Sequence, residues 1–346
     1  MAAPNTTRVL GNDLVIGITM GDPGGIGPEI IVKALADPAL RRLAKFIIFG
    51  SDEALEYAAD LSEVEPFWFR FPHEKLSRDY PRQVSLADYD DYSAPTWIHA
   101  PTRASGEASI RFCVDAINAA RRGLIDAVVT APISKTSWKL AGSKWPGHTE
   151  LLAYCCKSPR KAMMFVAGPL KMALATIHEA LFEIRHKFTI GCVFEPIDLL
   201  DGALKEYFGI ARPRIAVAGL NPHAGEDGQF GDEEQRIIKP AILLAQEAGI
   251  LCEGPYPADS LFVRAARGEF DGVVAMYHDQ GLIPVKMLAF ESAVNVTIGL
   301  PIIRTSPAHG TAFDIAGKGI ANAESMKSAI QTAIHMAKTK KKIYVQ

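Results

Sequence analysis

Three histidines each stand just past a short apolar run: Met172–Ile177 leads into His178, Ile215–Pro222 into His223, and Val273–Tyr277 into His278. Runs of this length and β-branched content read as buried strands, and the carboxyl ends of strands in an α/β sheet are where ligands bind. Neutral imidazole suits a divalent metal such as zinc, and three protein ligands leave a coordination position open to substrate. A single histidine is more often a hydrogen-bonded structural residue, but three at equivalent places favour a metal centre. Carboxylates stand beside each one: Glu179, Glu226 and Asp227, and Asp279. Such neighbours orient imidazole rings or accept protons.

A second group has the chemistry of anion binding. Lys286, Asn295 and Arg304 follow the His278 segment in order, and Pro301, Ile302 and Ile303 make the approach to Arg304 apolar. Arginine offers a planar fork to phosphate or carboxylate and lysine a point charge. The turn Pro146-Gly147-His148-Thr149-Glu150 opens a helix, where a threonine cap and an anion site are compatible. Gly21 to Glu29 joins the first strand to the first helix without a P-loop ending or a GxGxxG spacing, so it specifies no nucleotide. The loop His309 to Asn322 is rich in small residues and names no ligand by spacing alone.

The elements that must position these groups alternate along most of the chain, the signature of an α/β fold. Strands are expected at Leu14–Thr19, Phe46–Phe49, Ala127–Thr130, Arg214–Leu220, Gly272–Tyr277 and Ala293–Leu300. Helices are expected from about Pro28 to Ala36, Gly106 to Arg122, Pro196 to Phe208, Glu233 to Ala248, and Glu324 to Lys342. Ser51 or Asp52 is expected to cap the helix that follows it. Residues 65–102, with Pro66, Pro72, Pro81, Pro95 and Pro101, read as irregular or antiparallel edge structure.

At 346 residues the chain exceeds the usual span of one hydrophobic core, so two lobes are expected. A formal charge of −2 gives no long-range attraction to nucleic acid or anionic membrane, so an anionic substrate must be held by local charges. Lys338, Lys340, Lys341 and Lys342 read as a favourable helix end rather than a nucleic-acid patch. Five cysteines, an odd number without CxxC, argue for reduced thiols. With a polar amino terminus and no apolar stretch of spanning length, the expectation is a cytoplasmic protein.

Taken together, Gly21-Asp22-Pro23 with Gly25 to Glu29, Gly147 to Glu150, Gly219 to Glu226, Tyr277 to Gly281 and Arg304-Thr305-Ser306 resemble the 4-hydroxythreonine-4-phosphate dehydrogenase family of vitamin B6 biosynthesis. The resemblance runs from about Leu14 to Lys338. It implies an isocitrate/isopropylmalate dehydrogenase-like fold of two α/β/α lobes with a cleft between them. We expect residues 12–141 plus 309–346 in the first lobe and 142–308 in the second, which would carry the metal and dimer contacts.

It further implies metal ligation by His178, His223 and His278, and substrate contacts at His148, Thr149, Lys286, Asn295 and Arg304. One divalent metal (zinc, magnesium or cobalt), NAD or NADP, and a homodimer sharing each metal site across its interface follow from the same resemblance. Cofactor contacts at His309, Gly310, Asp314 and Asn322 rest on similarity to the adenine-side loop of the wider superfamily. The implied reaction oxidises the C3 alcohol of 4-phosphooxy-L-threonine, and the product then loses carbon dioxide. Asp259, Asp279 and Lys135 are the candidate proton acceptors, the two aspartates ranking first as groups supporting the metal ligands. Related enzymes of D-threonate or D-erythronate 4-phosphate, and a metal-dependent phosphoester hydrolase, are the rival readings.

Overall fold

Apolar runs too short for helices form strands buried on both faces, which is why they lack the alternation of a half-exposed sheet. Val15–Thr19 is buried at every position, as are Ala127–Thr130, Ile215–Ala218 and Gly272–Ala275. The structure, a computed structural model, describes residues 14–80, 82–91 and 97–345. The polar stretch 1–13, and Pro81 and Pro95 of the proline-rich segment, lie outside the described residues.

The strands in chain order are β1 (Val15–Thr19), β2 (Lys45–Gly50), β3 (Phe69–Pro72), β4 (Val84–Asp88), β5 (Ala127–Thr130), β6 (Ala162–Ala167), β7 (Leu170–Leu174), β8 (Ile215–Ala218), β9 (Cys252–Tyr256), β10 (Gly272–Ala275), β11 (Val294–Ile298) and β12 (Ile303–Pro307). Among the described residues they form one sheet in the order β3-β4-β2-β1-β5-β12-β11-β6-β7-β10-β8-β9. Both flanks are parallel, as alternation with helices requires. In the middle, β12–β11, β11–β6 and β6–β7 pair antiparallel, so the two flanks run in opposite directions. The reversal includes a hairpin at Ala167-Gly168-Pro169-Leu170, where Gly168 takes φ +58°.

Residues 65–102 correct one expectation. They contain β3 and β4, which pair parallel with each other, and β4 pairs parallel with β2, rather than antiparallel. Prolines flank these strands and hide them from a reading by composition. Neither Ser51 nor Asp52 caps the next helix by its side chain; Asp88 at the end of β4 accepts from the Asp52 backbone N–H at 2.8 Å. The carboxy-terminal helix Glu324–Val345 packs against β12 and the Ile190–Phe208 helix. Two of its terminal lysines are tied down: Lys340 pairs with Glu206 at 2.7 Å and Lys341 with Asp126 at 3.0 Å.

The glycine loop 21–29 is a structural joint. Asp22, wholly buried, accepts from Ser137 Oγ at 2.7 Å and from the Gly24 backbone at 3.1 Å. Burial raises its pKa and those two bonds oppose the rise. Gly25 lies so close to Thr311 that an added Cβ would stand 3.0 Å from it, and Ile26 N donates to Thr311 O. The loop therefore seats the 309–322 segment on the first helix.

Candidate active site in the central cleft

The carboxyl ends of β7 and β10 are joined side by side. Ala175 N donates to Ala275 O at 2.8 Å, and Thr176 Oγ donates to Met276 O at 2.7 Å. Gln280 secures the next link, accepting from Met276 N and donating to Gly219 O at the end of β8. These bonds bring His178 and His278 together with ring centroids 5.8 Å apart. Zinc–nitrogen bonds of about 2.0–2.1 Å would separate two imidazole centroids by roughly 5 Å, so the pair fits one cation with little movement.

The ring chemistry agrees with a ligand role. His278 Nδ1 is bonded to Asp279 at 2.7 Å and His223 Nδ1 to Glu226 at 2.8 Å, which leaves each Nε2 for a metal. Burial lowers the pKa of His178, helped by the charges of Lys135 and His278. A lowered pKa keeps its ring neutral and able to ligate.

His223 stands apart from the other two, with its side chain 65% exposed. Among the described residues of one chain, no group of three His, Cys, Asp or Glu forms a metal cluster. His223 begins a left-handed turn in which Ala224, Gly225, Glu226 and Asp227 also have positive φ. Successive left-handed residues are costly for L-amino acids. The buried Glu234 holds the turn in place, accepting from Leu220 N, Asn221 N and Asn221 Nδ2 at 2.7–2.9 Å. A Cβ on Gly225 would lie 2.7 Å from Glu234 Oε2 at φ +82°. Gly225→Ala should therefore destabilise the fold by about 1–2 kcal/mol and loosen the histidine, which urea denaturation and metal titration would both register.

The histidine pair opens into a cleft of ≈ 820 Å³ whose walls come from both flanks of the sheet. Thr130 at the end of β5 and Lys135 after it, His148 and Thr149, Lys286, Asn295 and Arg304 all line it, as do His309 and Gly310. The helix bearing His148 starts with Gly147 at its cap, so Thr149 lies in the first turn instead of capping it. Lys187 is taken up by Glu179 at 2.6 Å, which leaves Lys135, Lys286 and Arg304 as the wall's cations against Glu150.

Arg304 is 3% exposed, and its hydrogen-bond partners are the neutral groups Thr130, Thr297 and His148. Burial pulls its pKa down to about 10, still far enough above neutrality to keep the charge. A buried guanidinium without a carboxylate partner favours an anionic ligand. His148 Nε2 and Asn295 Oδ1 are buried without partners, so the same wall has polar atoms waiting for a ligand.

Other expected residues fall outside the cleft wall. Asp279 faces an adjoining hollow beside His178 and His278. Asp259 starts the Ala258–Ala266 helix and accepts from Ser260 N at 2.9 Å. Asp314 is exposed, and Asn322 Oδ1 accepts from Glu324 N at the start of the last helix. Thr130 and Thr297 were not singled out by sequence, because strand threonines carry no signal of the arginine they hold.

Residues 42–333 match the family described as pyridoxal phosphate biosynthetic protein PdxA. The chain belongs to that family. It is 46% identical over 330 residues to a 4-hydroxythreonine-4-phosphate dehydrogenase of Desulforapulum autotrophicum, covering 93% of this chain and 95% of the relative. A D-threonate 4-phosphate dehydrogenase of Cupriavidus necator is 44% identical, with 93% and 97% covered. Among solved structures, the 4-hydroxythreonine-4-phosphate dehydrogenase of Klebsiella pneumoniae superposes with a TM-score of 0.84 at 40% identity, covering 94% of this chain and 99% of that one. Membership in the PdxA family makes the cleft the place to look for its chemistry.

Proposed function

We propose that this protein oxidises the C3 alcohol of 4-phosphooxy-L-threonine with NAD or NADP, giving 2-amino-3-oxo-4-phosphooxybutanoate, which decarboxylates to 3-amino-2-oxopropyl phosphate. The observation that carries the reading is a single cleft joining the His178–His278 pair to the buried, carboxylate-free Arg304. A ligand held at the Arg304 wall is oriented toward the histidines, so binding energy is used to position the reacting carbon. A divalent metal held by His178, His278 and the His223 of a second copy would favour the alkoxide and polarise the ketone. The dinucleotide supplies the hydride acceptor; His309 and Gly310, on the cleft wall, and Asp314 and Asn322 beyond it are its proposed contacts.

Lys135 has the best placement for proton transfer, on the cleft wall and near enough to His178 to depress its pKa. Asp279 orients His278, and Asp259 lies away from the wall. Lys135→Met should reduce kcat by about 10²- to 10⁴-fold while leaving the metal content unchanged, as steady-state kinetics and metal analysis would establish.

We propose a homodimer because the helix His278–Ala289 exposes Ile283 and Met287, Phe290 stands exposed just past its end, and Phe182 stands exposed shortly after His178. Such a patch beside an incomplete ligand set suits burial by a second copy. The lobes are proposed as 12–141 plus 309–346 and 142–308, meeting at the cleft. Among the described residues no helix is long and apolar enough to cross a membrane, and all five cysteines are free, which supports a cytoplasmic setting.

The rival substrate class is favoured by one observation, the 44% identical relative named for D-threonate 4-phosphate. A side-by-side assay of 4-phosphooxy-L-threonine, D-threonate 4-phosphate and D-erythronate 4-phosphate with both dinucleotides decides between them. Higher kcat/KM for the amino-acid phosphate supports the proposal, and preference for a sugar-acid phosphate overturns it.

A further inference from the structure

We propose that Arg304 acts on the substrate through His148, donating into Nδ1 and so locking the imidazole as an Nε2–H donor, with Thr130 and Thr297 as the positioning residues that hold the guanidinium. The inference rests on reading the cleft as the substrate site.

A guanidinium has five N–H donors and no acceptor. Nε donates to Thr130 Oγ1 at 3.2 Å and Nη2 to the same oxygen at 2.7 Å. Nη1 donates to Thr297 Oγ1 at 3.1 Å, and Nη2 reaches His148 Nδ1 at 3.4 Å. Four of the five donors are thus committed, and Arg304 keeps only one N–H for a ligand. Bidentate capture of an anion, the usual reason for choosing arginine, is closed to it. Its fork is spent on orienting the wall.

The consequence falls on His148. Because the arginine only donates, Nδ1 must hold a lone pair, and a neutral ring then carries its hydrogen on Nε2. Burial and the Arg304 charge hold the ring's pKa well below its usual value, so the neutral form prevails. Trp138, wholly buried and anchored through Nε1 to Ser109 at 2.9 Å, packs edge-on against the ring at 5.6 Å and fixes its tilt. Nε2 has no partner, as a donor reserved for a ligand oxygen would have none. On the neighbouring strand, the unpartnered Asn295 Oδ1 asks the same ligand for an O–H or N–H. The wall therefore selects an anionic group at His148 beside a hydrogen-bond donor at Asn295. Arg304 supplies the field and His148 makes the contact.

The test combines a direct readout with a variant series. Nitrogen-15 spectra of histidine-labelled protein near neutral pH should show His148 as the neutral Nε2–H tautomer; an Nδ1–H tautomer or an imidazolium would overturn the proposal. Glutamine can place an amide N–H where Nε2–H stands, whereas asparagine places it near Nδ1. His148→Gln should therefore retain a KM for 4-phosphooxy-L-threonine about 10- to 100-fold lower than His148→Asn, and equal KM values would overturn the donor role. Thr130→Val should raise KM more than it lowers kcat, with Thr130→Ser restoring it; a serine variant as impaired as the valine one would count against the positioning role. If 4-phosphooxy-L-threonine is not turned over by the wild-type protein, the functional reading fails, while the spectra still decide the tautomer.

Discussion

His223→Ala is expected to abolish dinucleotide reduction with 4-phosphooxy-L-threonine while leaving the fold intact. Its side chain is largely exposed, its hydrogen bond is to the partly exposed Glu226, and a solvent-facing substitution costs about 0.5 kcal/mol or less. Loss of one of three ligands from an open site removes several kcal/mol of charge stabilisation, a fall of roughly 10³-fold or more. Bound metal per chain should fall in parallel. The left-handed backbone at His223, φ 54°, is tolerated better by asparagine than by alanine. His223→Asn therefore separates loss of the ligand from strain in the turn, and both variants should be inactive with near-wild-type denaturation midpoints. Full turnover by either would refute the ligand assignment.

The second large effect is expected at Arg304. Lysine keeps the charge but not the fork, and one ammonium cannot hold Thr130, Thr297 and His148 in their present arrangement. Arg304→Lys should lower kcat/KM by about 10²- to 10³-fold, the scale of one or two charge-assisted hydrogen bonds. Inorganic phosphate should raise the wild-type melting midpoint by ligand linkage and leave that of Arg304→Met unchanged. A lysine variant within a few-fold of wild type would mean that charge alone suffices at this position.

Much of this cleft's lining was legible in the chain because residue types suited to metal and anion chemistry stand at strand ends. His178 and His278 announce themselves by the apolar runs before them, and Arg304 by its apolar approach. The alternation of strands and helices exposed the parallel flanks for the same reason. The reversal at the sheet centre was not anticipated, although Gly168-Pro169 is a turn signal that marks the β6–β7 hairpin. Parallel strands β3 and β4 were obscured by their prolines.

What sequence could not supply is contact between remote residues. Thr130 meets Arg304 across 174 positions, and a threonine in a buried strand is indistinguishable from any other β-branched residue. Glu234 reads as one more helical carboxylate, yet it secures the turn that presents His223. The glycine loop at 21–29 names no ligand by its spacing, and its contact with the 309–322 segment, Ile26 N donating to Thr311 O, joins residues far apart in the chain.

The most direct measurement is subunit complementation. His178→Ala and His223→Ala should each be inactive alone; mixed under conditions that exchange subunits, half the dimers become heterodimers with one intact site, restoring about a quarter of wild-type activity. No recovery after exchange has been verified would contradict a metal centre assembled from two copies of the chain.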